Sequence, residues 1–281
     1  MKSSDKTVSI FVILSILVAF FFLNSPLTQV KENSQFILLV FGAVVSLVLL
    51  TKKHIDYFDT SSASTLVEKG SIGIVWGFLS MAIATFVIKS ISAVYNLFGS
   101  VSAVSASAYG ADLQFYTIWI YPIAETMILL GGVFALTDVL PKIRVWKINA
   151  TIIAAFFAMM LIFGAFHFND RGKDFFEFSA NGLINFIGNT KDFGTNGYVG
   201  ALPQVVLAGI WLISAYLYKN WLVPLFAHIA SNAFFLGLLI GFFNPVILGT
   251  ALFLGMILFF GVTRKDTISK VFKVTMAGFD E

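Results

Sequence analysis

The chain has 281 residues, of which 58% are apolar and only 12% charged, whereas a soluble domain carries about 25% charged residues. This composition excludes a sizeable water-soluble domain and indicates an all-α membrane protein that crosses the bilayer several times. There is no cysteine, which excludes disulfides, thiolate metal sites and cysteine nucleophiles, and a net charge of +3 gives no indication of nucleic-acid binding.

Eight apolar stretches have about the 20-residue length that a helix needs to cross a bilayer. In chain order they cover residues 8–24, 35–51, 71–89, 113–137, 148–168, 198–217, 221–242 and 244–262. The first stretch is not followed by a small-residue cleavage site, so we interpret it as an uncleaved first helix. The whole chain, 1–281, is predicted to be a single integral membrane domain.

The basic residues provide a test of this count. If all eight stretches span, thirteen of the 18 lysines and arginines fall on the side that holds both termini. The other five are Lys31, Lys89, Arg171, Lys173 and Lys191. Because cytoplasmic loops are enriched in Lys and Arg, we expect a multi-pass protein of the cell membrane with both termini in the cytoplasm.

The connecting segments carry further expectations. Residues 52–69 are predicted to form a solvated cytoplasmic linker. The Ser- and Ala-rich residues 90–110 are predicted to form an external loop or a continuation of the third helix. Residues 169–198 are predicted to form an interfacial or partly re-entrant segment. The basic amphipathic tail, residues 263–281, is predicted to lie on the inner leaflet, a frayed terminus being the alternative.

Three titratable residues lie well inside the predicted spans, each in a different helix: Glu125, His167 and His228. Such groups are costly in hydrocarbon, so we expect all three to converge on one polar cavity between the helices. Pro122, about one turn before Glu125, loosens the backbone where such a cavity could form.

Straight helices would place Glu125 near the outer end of its span and His228 near the inner end of its own. The two side chains can therefore meet only if a helix is tilted or broken, or if the connection near Lys219 lies below the surface.

Residues four positions apart extend the polar faces: Phe163 accompanies His167, and Asn232 accompanies His228. A carboxylate beside an imidazole can activate water, and a second imidazole or an amide can stabilise an oxyanion. The set therefore predicts a hydrolase without a covalent nucleophile or a cofactor. The alternative is a zinc site formed by Glu125, His167 and His228, although the chain lacks the H-E-x-x-H helix that usually supplies such ligands.

These motifs resemble those of the CPBP family, the CAAX prenyl proteases and bacteriocin-processing intramembrane proteases, also called the Abi family. The family carries E-E-x-x-x-R-G, then F-x-x-x-H, then H-x-x-x-N or H-x-x-x-D on successive helices. The corresponding segments here are 125–131, 163–167 and 228–232. The resemblance covers about residues 113–243, which would form the catalytic half of the chain.

The resemblance implies that Glu125 and His167 activate water, and that His228 and Asn232 stabilise the tetrahedral oxyanion. The first motif matches only in part, because Thr126 and Leu130 stand where the family has its second glutamate and its arginine. Losing both members of an ion pair leaves neither charge buried alone, and the Thr126 hydroxyl can still form a hydrogen bond.

We therefore expect an intramembrane endopeptidase whose partners are the lipid bilayer and a membrane-embedded or lipidated peptide substrate. A catalytically impaired scaffold or bacteriocin-immunity protein is one alternative, motivated by the missing Glu–Arg pair. A proton-coupled transporter that uses Glu125 and the histidines as a relay is another, although the sequence shows no inverted repeat of the kind that such transporters often have.

Overall fold

A computed structural model describes residues 3–24, 32–54, 63–96, 115–145, 148–166, 201–240 and 243–262. Within this part the chain is helical, apart from an antiparallel pair of two-residue strands, β1 (Arg144–Val145) and β2 (Ile148–Asn149). A five-residue π-helical segment, Tyr116–Ile120, directly precedes α4. The α-helices are α1 (Ser3–Asn24), α2 (Glu32–Lys53), α3 (Ala63–Asn96), α4 (Tyr121–Val139), α5 (Ala150–Phe166), α6 (Ala201–Tyr218), α7 (Leu222–Ile240) and α8 (Pro245–Val262).

The predicted all-α class is confirmed, and each of the eight predicted stretches overlaps one of these helices. The largest difference is α3, whose 34 residues begin at Ala63, inside the segment predicted to be a solvated linker. Residues 63–69 include Ala, Leu, Glu and Lys, which favour helix, and contain no proline that would delay the start. The predictions for residues 97–110, 169–198 and 263–281 lie outside the described residues.

Two helical stretches in the described part, Thr65–Val87 and Ile118–Val139, are long and apolar enough to cross a membrane by length and composition. Six further helices contribute shorter apolar stretches of 10–17 described residues. The membrane prediction is thus supported for two helices, and the eight-span topology stays a prediction.

The chain divides into two compact units, and α3, α4 and α6 each contribute residues to both. The first unit comprises Met1–Lys53, Ala84–Ser107 and Met127–Gly209. Within it α2 and α4 approach closely, because a Cβ at Gly131 would overlap the Cβ of Ser46 and lie 2.6 Å from its Oγ. The hydroxyl of Ser9 in α1 donates a 2.8 Å hydrogen bond to Asp138 near the end of α4.

The second unit comprises His54–Ile83, Ala108–Thr126 and Ile210–Glu281, and it contains the whole of α7. Every residue of α7 from Leu222 to Ser231 is buried, as expected for a helix that is apolar on all faces. Here α3 packs directly against the α7 backbone, since a Cβ at Gly77 would lie 2.7 Å from the carbonyl oxygen of Ala227. The hydroxyls of Ser80 and Ser231 hydrogen-bond at 2.9 Å across the same contact.

A tight turn joins α6 to α7 and makes them a helical hairpin. Lys219 has a φ of 46°, the left-handed conformation that commonly ends a helix. Asn220 then accepts a 2.9 Å hydrogen bond from the Leu222 N–H, which caps the start of α7. Asn220 is only 3% exposed, so this part of the turn is packed inside the protein.

Candidate active site

Glu125 lies in the first turns of α4, shortly after the π-helical segment. Pro122 has no N–H for the carbonyl four residues earlier, and a π turn, which links residues five apart, accommodates this deficit. Ile123 is 42% exposed, whereas the Glu125 side chain, about 200° further round the helix, is only 15% exposed. Glu125 therefore faces the interior of its unit.

The side chain of Glu125 meets His228 of α7. Glu125 Oε2 lies 3.3 Å from His228 Nε2, and the His228 side chain is only 2% exposed. This distance is slightly longer than the usual 2.7–3.2 Å N–H···O hydrogen bond, and the contact becomes an ion pair when the imidazole is protonated. The convergence expected for Glu125 and His228 is thus present in the structure.

Trp211 of α6 covers one face of the His228 ring. The two ring centroids are 3.7 Å apart and the planes are inclined by 23°, so the rings are stacked nearly parallel. Trp211 is 1% exposed. The imidazole is therefore bounded by a carboxylate at Nε2 and by an indole on one face.

One arrangement that would let Glu125 and His228 meet is present, because the π segment interrupts the regular α-helix before Glu125. The α6–α7 turn is exposed at Lys219 and packed against protein at Asn220, and its depth in a membrane stays a prediction. His228 lies about two turns from the start of α7.

The other predicted site residues fall into three groups. Asn232 lies one turn after His228 on α7 and is partly buried. Thr126 is 2% exposed, and its Oγ1 has no hydrogen-bond partner within the described part of the chain. Phe163 is 2% exposed and belongs to α5 of the first unit, while His167 lies outside the described residues.

The zinc alternative needs three ligands, of which the structure describes Glu125 and His228. Among the described residues there is no group of three or more His, Cys, Asp or Glu side chains arranged to hold a metal ion. Since His167 is outside those residues, the set of Glu125, His167 and His228 stays an alternative.

Trp211 is the site residue that the sequence analysis missed. One signal could have indicated it: Trp211 precedes the end of α6 by seven residues, and His228 follows the start of α7 by six. At about 1.5 Å per residue, both lie roughly 10 Å from the tight turn. A helical hairpin with so short a connection places such residues at the same level.

Comparisons of the chain with protein-family models, with curated proteins and with solved structures found no match. The resemblance to the CPBP family therefore depends on the three short motifs alone.

Proposed function

We propose that the protein is an intramembrane endopeptidase of the CPBP type, which hydrolyses a peptide bond of a membrane-associated or lipidated substrate with a water molecule activated by Glu125. The observation that supports this proposal best is the buried contact between Glu125 Oε2 and His228 Nε2 at 3.3 Å. Buried carboxylate–imidazole pairs in apolar helix bundles are costly, which favours a functional role over an incidental one.

The pair supports a simple proton sequence. In the resting site the Glu125 carboxylate accepts a hydrogen bond from His228 Nε2–H. During attack the carboxylate takes a proton from water, the hydroxide forms a bond to the carbonyl carbon, and the neutralised Glu125 releases the Nε2–H. That N–H then donates to the developing oxyanion, together with the Asn232 amide one turn away. Glu125 finally gives its proton to the leaving amine as the C–N bond breaks.

The proposal extends the two-helix membrane finding to eight spans with both termini in the cytoplasm. Because the chain has no cysteine, single introduced cysteines report topology without background. In intact cells we expect an impermeant maleimide to label Lys31→Cys and to leave Lys142→Cys unlabelled until the cells are opened. Labelling of both positions in intact cells would contradict this topology.

The central experiment measures peptide cleavage by the purified protein in liposomes. The substrates are a quenched peptide with a prenylated C-terminus and a quenched transmembrane peptide. We expect wild-type protein to cleave at least one, and Glu125→Gln to be about 100-fold slower or more, the range typical of a lost general base. Glu68→Gln is the matched control, since Glu68 lies in α3 beside Lys69. Equal rates for wild type and Glu125→Gln would reject the mechanism.

A non-catalytic scaffold or bacteriocin-immunity protein is the second candidate. It is favoured by Thr126 and Leu130, which are 2% and 3% exposed and supply no carboxylate or guanidinium where the family motif has them. A strain that lacks the protein distinguishes the candidates. If both Glu125→Ala and His228→Ala fully restore the wild-type phenotype, the scaffold role is supported and the endopeptidase is not.

A further inference from the structure

We infer that Trp211 is a positioning residue for His228: its indole face fixes the plane of the imidazole so that Nε2 faces Glu125. This inference deepens the proposed function and gives Trp211 a role in the same site. It depends on the stacked geometry, with centroids 3.7 Å apart and planes inclined by 23°.

A histidine ring can rotate even when its backbone is fixed. Rotation about the bond between Cβ and the ring is soft, because a terminal sp³–sp² torsion has broad wells in place of three sharp ones. A backbone position on α7 therefore does not determine the ring plane by itself. A flat surface at van der Waals distance does, since turning the imidazole out of its plane would drive it into the indole.

Two orientations of the His228 ring share this plane. A 180° flip keeps the ring parallel to Trp211 but exchanges Nε2 with a carbon that cannot bond a carboxylate well. Glu125 Oε2, 3.3 Å from Nε2, favours one of the two flips. Trp211 thus selects the plane and Glu125 selects the flip, so that both are needed to aim the Nε2–H.

The burial and the backbone setting of Trp211 limit its own movement. Its side chain is 1% exposed and lies on the helical hairpin whose turn is fixed by Lys219 and Asn220. The next turn of α6 carries Ser214, whose hydroxyl donates a 2.7 Å hydrogen bond back to the Trp211 carbonyl. A buried indole on a closed hairpin is a rigid surface, as a positioning group must be.

The first test observes the ring directly and needs no substrate. Full-length protein with isotope-labelled histidine is studied by NMR in detergent micelles, and His228→Gln identifies the resonances of His228. The indole ring current should move the imidazole C–H resonances of wild-type His228 upfield relative to those of His54, as a single set. If wild-type His228 shows no upfield shift, the inference is overturned.

Variants then separate positioning from packing. Trp211→Leu should lose the upfield shift and give doubled or broadened His228 resonances, with kcat about tenfold to 100-fold lower and KM little changed, as expected for a misplaced catalytic group. Trp211→Phe restores an aromatic face and should recover about a third or more of kcat. If Trp211→Leu does not fold, the test uses wild type and Trp211→Phe: an upfield shift of His228 in wild type that is partly kept in Trp211→Phe supports the inference, and its absence from wild type overturns it.

The matched control is Trp221→Leu, because Trp221 packs against the apolar core of the same unit. It should keep the His228 shift and a kcat within about threefold of wild type. A shift lost equally in Trp211→Leu and Trp221→Leu would overturn the inference. If wild-type protein shows the upfield shift but does not cleave peptides, the endopeptidase proposal is rejected and the stacking of Trp211 on His228 is retained. If it cleaves peptides but shows no shift, the positioning role of Trp211 is rejected and the endopeptidase proposal is retained.

Discussion

Helix α4 carries two carboxylates that lie in different compact units and have different partners. Glu125, in the second unit, faces an imidazole that can gain or lose a proton. Asp138, in the first unit, accepts a 2.8 Å hydrogen bond from the hydroxyl of Ser9, which stays neutral at any ordinary pH. The same helix therefore holds one acid beside a titratable imidazole and another beside a neutral hydroxyl.

The position of each acid along the helix explains part of this difference. Asp138 is the penultimate residue of α4, where the negative end of the helix dipole disfavours a carboxylate by about 0.3–1 kcal/mol. The hydrogen bond from the Ser9 hydroxyl contributes about 0.5–1.5 kcal/mol at this partly exposed carboxylate, which is enough to offset the dipole. Glu125 is far from that end, and its carboxylate lies 3.3 Å from the imidazole of His228.

The two acids of α4 should respond differently when each charge is removed without a change in side-chain size. Glu125→Gln should reduce peptide cleavage about 100-fold or more, because an amide cannot take a proton from water. Asp138→Asn, on the same helix, should stay within about threefold of wild type. The measurement is kcat/KM on the quenched peptides in liposomes. Similar losses for both variants would mean that the acids act through the stability of α4.

The part of α4 between the two acids should respond through packing alone. Gly131→Ala gains about 0.5–1 kcal/mol of helix propensity but meets Ser46, and overpacking costs about 1–3 kcal/mol. We expect a net loss of about 1 kcal/mol in the free energy of unfolding, measured by SDS titration in mixed micelles. Gly249→Ala, where a Cβ would meet nothing within 4 Å, is the matched control and should be neutral or stabilising.

Adding Ser46→Gly to Gly131→Ala removes the overlapping Cβ and should recover part of that loss. A Gly131→Ala protein as stable as its Gly249→Ala counterpart would contradict the close approach of α2 to α4.

The helices could be predicted from the sequence because each needs only a long apolar stretch, and eight such stretches are separated by polar residues. The pairing of Glu125 with His228 was also predictable, since few titratable groups occur in the spans and each is costly when isolated. The predicted start of α3 was wrong because a helix can extend beyond the edge of its apolar stretch. The residues just before that stretch also favour helix, so α3 begins at Ala63.

Residue type alone does not distinguish Trp211 from the other tryptophans, because an indole in a core and one stacked on a ring are the same residue in the sequence. The distance of Trp211 from the α6–α7 turn is the signal that indicates a position level with His228. The close contact of Gly77 with Ala227 was hidden for a similar reason: small residues permit a close approach but do not identify the neighbour. The identity of a packing neighbour on another helix requires the three-dimensional structure. That a buried titratable residue such as Glu125 needs a polar partner can be inferred from the residue itself.

The smallest effect concerns the neutral partner of Asp138. Ser9→Ala removes the hydroxyl donor, and the partly exposed carboxylate can take a water molecule in its place. We therefore expect a loss of about 0.5–1.5 kcal/mol in the free energy of unfolding by SDS titration, the usual range for one hydrogen bond, with kcat/KM within about threefold of wild type. Ser15→Ala is the control on the same helix, because in the described part of the chain the Ser15 hydroxyl donates to the Phe11 carbonyl within α1, so its loss should cost less. If Ser9→Ala reduced cleavage as strongly as Glu125→Gln, Asp138 would belong to the chemistry, and the division of roles along α4 would be wrong.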